Sequence, residues 1–111
     1  MDGVHRTVTI KKIYDKVSHF KKHDYAPVHS QGIYKDGVFA VTVRMTPELR
    51  SHSTERNVLL KHEKREAKIL ATGKSVDYAH RVAASKDPEW LKGEKGYSNV
   101  WKRLGHKEKR W

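Results

Sequence analysis

Lys61, Lys64, Arg65 and Lys68 recur at spacings of three and four. On a helix, at about 100° per residue, they gather along one side. Lys61 with Arg65, and Lys64 with Lys68, are like charges at i,i+4. Each such pair costs roughly 0.2–0.5 kcal/mol in an isolated helix. A helix shaped by stability alone would alternate Glu with Lys. A cationic row is tolerable where phosphate oxygens neutralise it in a complex, which releases counterions and makes binding salt-dependent. The chemistry open to this face is therefore phosphate contact, which positions a protein on a nucleic acid and specifies no base; the alternative is a basic face that is merely solvated.

Further cations accompany that row. Lys12 and Lys16, continued by His19 and His23, form a second basic stripe on a helix expected from Ile10 onward. Lys107, Lys109 and Arg110 precede a terminal Trp111, and Lys95 stands beside Tyr97. In both places an aromatic ring able to stack on a base lies next to charges able to hold its phosphate. Trp90 and Trp101 neighbour aliphatic residues at helical spacing and are assigned to the core. Gly93-Glu-Lys-Gly96 resembles the GxxG loop with which KH domains clamp a nucleic-acid backbone. Lys92 and Asn99 depart from that motif, and the residues after the loop read as a helix rather than a strand. The four residues are accordingly read as a flexible turn.

Eight histidines raise the question of a metal. His19 and His23 can meet at i,i+4, with Asp24 adjacent and His29 nearby, but a zinc-type site needs three or four converging ligands. With no third ligand visible at that pair, the expectation is no metal and no cofactor. His, Glu, Lys and Arg would also furnish a metal-independent ribonuclease, although their presence in so charged a chain says little about convergence. No phosphate-loop glycine pattern, nucleophile elbow or dinucleotide fingerprint occurs.

The elements that must position these groups begin with Gly32 to Met45, the least polar run of the chain. Asp36-Gly37 between an aromatic-aliphatic pair and an alternating β-branched run predicts a two-residue hairpin turn. Phe39, Val41 and Val43 then share one face, which helices must cover. Upstream, Val4 to Thr9 is β-prone. Ile10, Ile13, Val17 and Phe20 recur with helical period and predict a helix closed by Asp24 and Pro27, the alternative being a strand that runs on through Ile13. Thr46-Pro47-Glu48 marks a helix start, with a break near residues 51–53, a restart at Ser53 or Thr54, and an end at Gly73. Leu49, Leu59, Leu60, Ala67, Leu70 and Ala71 form its apolar side, and Glu63 points the same way. Ser75 caps a third helix, Val76 to about Lys86, whose packing stripe is Val76, Ala79, Val82 and Ala83. Asp87-Pro88-Glu89 repeats the cap-Pro-acid pattern, and Ser98 caps a last helix burying Val100, Trp101 and Leu104 before Gly105.

With 111 residues the chain is read as one small domain over 1–105, followed by a mobile basic tail at 106–111. The fold class expected is α+β: a small antiparallel hairpin or sheet of two to three strands under three to five helices, with a helical C-terminal half. Net charge is +11; eight Lys/Arg and four Asp/Glu fall in residues 1–46, sixteen and nine in 47–111, so the basic excess leans C-terminal. Such an excess attracts polyanions. The absence of cysteine excludes disulfide frameworks and Cys-based zinc sites. No apolar run reaches membrane-span length and no apolar signal core opens the chain, so the expected location is cytoplasmic. The function expected is a non-catalytic nucleic-acid-binding accessory protein. The alternative is a small protein, of the kind mobile elements encode, that blocks an acidic or nucleic-acid-binding surface of an enzyme. A small ribonuclease stands third.

Overall fold

The computed structural model describes residues 7–15, 27–93 and 95–105. Strands β1 (Thr7–Tyr14), β2 (Val28–Lys35) and β3 (Val38–Met45) form one sheet in the order β1-β3-β2. β2 and β3 are the expected hairpin. Lys35 faces Val38 across Asp36-Gly37, whose φ angles of 50° and 77° are both positive, the twist that a two-residue turn needs to match its strands. Phe39, Val41, Val43 and Met45 are all buried on one face of this central strand. The Phe39 ring lies across Gly32 and stacks on Tyr34 at 4.3 Å between centroids.

Two expectations are corrected here. Ile10 to Tyr14 is strand, the alternative to the expected helix, and β1 runs parallel to β3, so the sheet is mixed rather than antiparallel. Ile10 and Ile13 do not share a face. Val8, Ile10 and Tyr14 register with Phe39, Val41 and Met45 and pack on the covered side, while Ile13 registers with Arg44 on the other. Alternation, not the spacing of three, governs this segment, because the ladder to β3 satisfies its backbone. The parallel sense has no local signature, since parallel neighbours cannot be joined by a tight turn. The remainder of the expected helix, with Lys16, His19, His23 and Asp24, lies outside the described residues.

After β3 the chain makes a 3-10 turn (Pro47–Ser51), breaks at His52, and enters α1 (Ser53–Leu70), where the break was expected. Thr46 occupies the cap position without a side-chain capping bond; its N–H instead donates to the Pro27 carbonyl at 3.0 Å. α1 covers the sheet with Leu59, Leu60 and Ala67. Helix α2 (Val76–Ala84) is capped as expected, the Tyr78 N–H donating to Ser75 Oγ at 3.1 Å. Its Ala79 and Ala83 are fully buried, but Val76, at the first helical position, is 65% exposed and drops out of the packing stripe. A second 3-10 turn (Glu89–Leu91) leads to α3 (Gly96–Arg103), which buries Val100 and Trp101.

α3 starts at Gly96, two residues ahead of the expected cap Ser98, so half of the glycine turn is structural. Gly96 is buried, and a methyl group there would collide with the Leu91 carbonyl, backbone that cannot rotate aside. Gly96→Ala should therefore lower stability by about 1–3 kcal/mol. A thermal melt checks this; a parental melting temperature would mean that α3 does not seat against Leu91.

Candidate functional site

The basic row divides over its surroundings. Lys61, Lys64 and Lys68 are exposed on α1, and Arg65 is half-buried beside them. Arg65 Nη1 lies 3.4 Å from Asp87 Oδ1, so a buried carboxylate holds the guanidinium in place. Lys61, Arg65 and Lys86, with Asp87 behind Arg65, line a concavity of roughly 340 Å³ that Val58 and Pro88 close. Arg65, Lys68 and Lys86 line the next, of roughly 300 Å³, floored by Ile69, Val82 and Ala83. The two share Arg65 and Lys86 and form one groove along the seam of α1 and α2. Among the described residues, Lys61, Lys68 and Lys86 enter no ion pair. Lys64 sits about 60° round the helix from Lys61 and lines neither concavity.

The other sequence candidates lie elsewhere. Lys12 is exposed on the edge strand β1. Lys95 is exposed at the start of α3. Tyr97 is half-buried against the core and lines a different cavity. Lys16, Lys107, Lys109, Arg110 and Trp111 lie outside the described residues.

Behind the groove is a polar cluster that sequence reasoning missed. The His62 ring is sandwiched between carboxylates: Nδ1 lies 2.7 Å from Asp87 Oδ2 and Nε2 3.0 Å from Glu66 Oε2. Glu66 Oε2 also lies 3.4 Å from His80 Nδ1. The His62 and Asp87 side chains are 7% and 3% exposed, so water does little for either charge. Asp87 thus serves both sites, with one oxygen on His62 and the other on Arg65. A cavity of roughly 410 Å³ opens on the cluster, lined by Leu59, His62, His80, Asp87, Leu91 and Tyr97 among others.

Burial and charge set the protonation of this cluster. Burial opposes charging of His62, but the hydrogen bond to Glu66 and the charges of Glu63 and Asp87 outweigh it and raise its pKa to about 9. Both ring nitrogens then donate. Burial likewise opposes ionisation of Glu66, and the His62 hydrogen bond and charge overcome it, leaving the carboxyl below its usual range. For Glu63 the His62 charge and a Ser30 hydrogen bond also favour ionisation, but they do not prevail. As expected Glu63 faces the apolar side of α1, where it lines a cavity of roughly 290 Å³ with Phe39 and Val41. Burial, then the Glu66 charge, push it up to about 7. Burial and the three nearby carboxylates push the Tyr97 phenol up as well.

Of this cluster only the i,i+4 spacing of His62 and Glu66 is visible in the sequence. Lys86 was expected as the last residue of the third helix, where no cation three or four residues before it marked a row; it stands instead on the turn after α2, and His80 and Asp87 arrive from other elements than α1. No known protein family, curated protein or solved structure matches this chain. Among the described residues no helix is long and apolar enough to cross a membrane.

Proposed function

We propose that this protein is a nucleic-acid-binding accessory protein that seats a phosphate backbone in the groove between α1 and α2. The observation that carries the reading is the convergence of Lys61, Arg65, Lys68 and Lys86 on one groove, three of them without a carboxylate partner among the described residues. A solubilising surface would scatter its cations or pair them with acids. Here Asp87 orders Arg65 while the flanking lysines keep their charge for a ligand. The net charge of +11 supplies long-range attraction to a polyanion. Contacts of this kind grip phosphates and leave base edges unread, so weak sequence preference is expected. Lys64, exposed on α1 next to the row, adds to the same positive field.

Oligonucleotide titrations at several salt concentrations test the reading. About four phosphate contacts give a slope of log K against log salt near −3 to −4, or about 100-fold weaker binding between about 50 and 200 mM salt. Lys61→Gln, Lys68→Gln and Lys86→Gln together should make the slope shallower by about two to three units, with the melting temperature unchanged. Arg65 is left intact because its loss would disturb Asp87. An unchanged slope in the triple variant would remove the groove from the interface.

A further inference from the structure

We propose that His62, Glu66 and His80 form a binding site for a transition-metal dication of the zinc class, with an open coordination position facing the cavity beside Tyr97. The inference stands apart from the nucleic-acid reading in its three ligands and its opening, although Asp87 braces both sites.

Three observations carry it. First, one ligand atom from each of the three side chains lies within 4.8 Å of the other two. Glu66 Oε2 is 3.0 Å from His62 Nε2 and 3.4 Å from His80 Nδ1. A tetrahedral ion with bonds of about 2.0–2.1 Å spans neighbouring ligands by about 3.3 Å, so these edges already have its dimensions. His62 and Glu66 are one turn apart on α1, which places both on one helix face, and α2 brings His80 over them, its ring edge-on to His62 with centroids 5.2 Å apart.

Second, the site has the outer support that such ions use. Asp87 Oδ2 accepts from His62 Nδ1 at 2.7 Å, which fixes the ring and reserves Nε2 for a ligand. Asp87 is itself buried and held from its other oxygen by Arg65. On binding, Nε2 gives up its hydrogen to solvent and the ion takes that place between His62 and Glu66. Third, the cluster is not closed over. The cavity of roughly 410 Å³ borders His62 and His80 and leaves room for water or a small ligand as fourth partner. Two imidazoles, one carboxylate and an open position are a donor set suited to zinc, whereas calcium and magnesium prefer all-oxygen shells.

The competing account is a metal-free ion-pair network, with zinc bound only adventitiously by other histidines such as His19 and His23, four apart in the sequence. Calorimetry with zinc chloride on the chelator-treated full chain separates the two. The expected result is one zinc per chain with a sub-micromolar Kd, and with cobalt the visible absorption of a tetrahedral site. His80→Ala and Glu66→Gln should each weaken zinc at least about 100-fold, and Asp87→Asn about 10- to 100-fold. A double His19→Ala, His23→Ala variant should bind as the parent does. The His80 side chain is 57% exposed, so its truncation spares the fold. Zinc should accordingly raise the melting temperature of the parent and not that of His80→Ala. Absence of stoichiometric zinc, or stoichiometric zinc that survives both His80→Ala and Glu66→Gln, overturns the site.

Discussion

Val41→Asp is expected to melt far below the parent protein, whereas Ala40→Asp, one residue away, should melt close to it. Val41 is 5% exposed in the central strand, flanked by Ile10 of β1 and Gly32 of β2. Neither neighbour offers a cation. The new carboxylate would instead enter the cavity wall shared with Glu63, whose own carboxyl burial already pushes up to about 7. A buried charge without a partner costs about 3–5 kcal/mol, against about 5–15 kcal/mol for the whole stability of a typical domain. Ala40 is exposed on the opposite face of the same strand, where the change should cost about 1 kcal/mol or less. Far-UV circular dichroism with thermal melts of both variants checks the contrast. A parental melt for Val41→Asp would mean that this face of β3 is not the centre of the fold.

That contrast rests on what the sequence expressed most clearly, because the relevant contacts are local. A turn that needs two positive φ angles selects Asp36-Gly37, and a half-covered strand alternates, so the hairpin and its buried face can be read residue by residue. Helix starts are legible for the same reason, as at Ser75 and at the break before Ser53. What stayed hidden is set by distant partners. The second half of β1 reads first as helix because Ile10 and Ile13 stand three apart, with strand only as the alternative; pairing with β3 shows that they face opposite sides. The basic row on α1 was visible in full, but the seam that turns part of it into a groove required α2 and Lys86. Asp87 was read through its neighbours Pro88 and Glu89 as a cap, yet the following 3-10 turn has no side-chain capping bond. Its carboxylate points instead at His62, 25 residues earlier in the chain.

The two readings of Asp87 make different predictions. If the carboxylate balances His62, Asp87→Ala leaves a buried imidazolium hydrogen-bonded to Glu66 but with no acceptor at Nδ1, and frees Arg65 from its anchor. Breaking a buried pair in this way costs about 3–5 kcal/mol. The Arg65 contact contributes little of that, because its side chain is 32% exposed and such pairs are worth about 1 kcal/mol or less. The cost should therefore fall steeply once His62 is also removed. In a double-mutant cycle, His62→Ala with Asp87→Ala should be less destabilising than the sum of the single changes by about 2–3 kcal/mol. Arg65→Gln alone should cost about 1 kcal/mol or less. A capping role predicts something else: a loss of about 0.5–2 kcal/mol from Asp87→Ala, additive with His62→Ala. Denaturant melts of the four proteins, run with chelator so that no bound metal contributes, decide between them. Additivity would return Asp87 to the start of the turn, and strong coupling places it at the centre of the polar cluster, where the positions of both His62 and Arg65 depend on it.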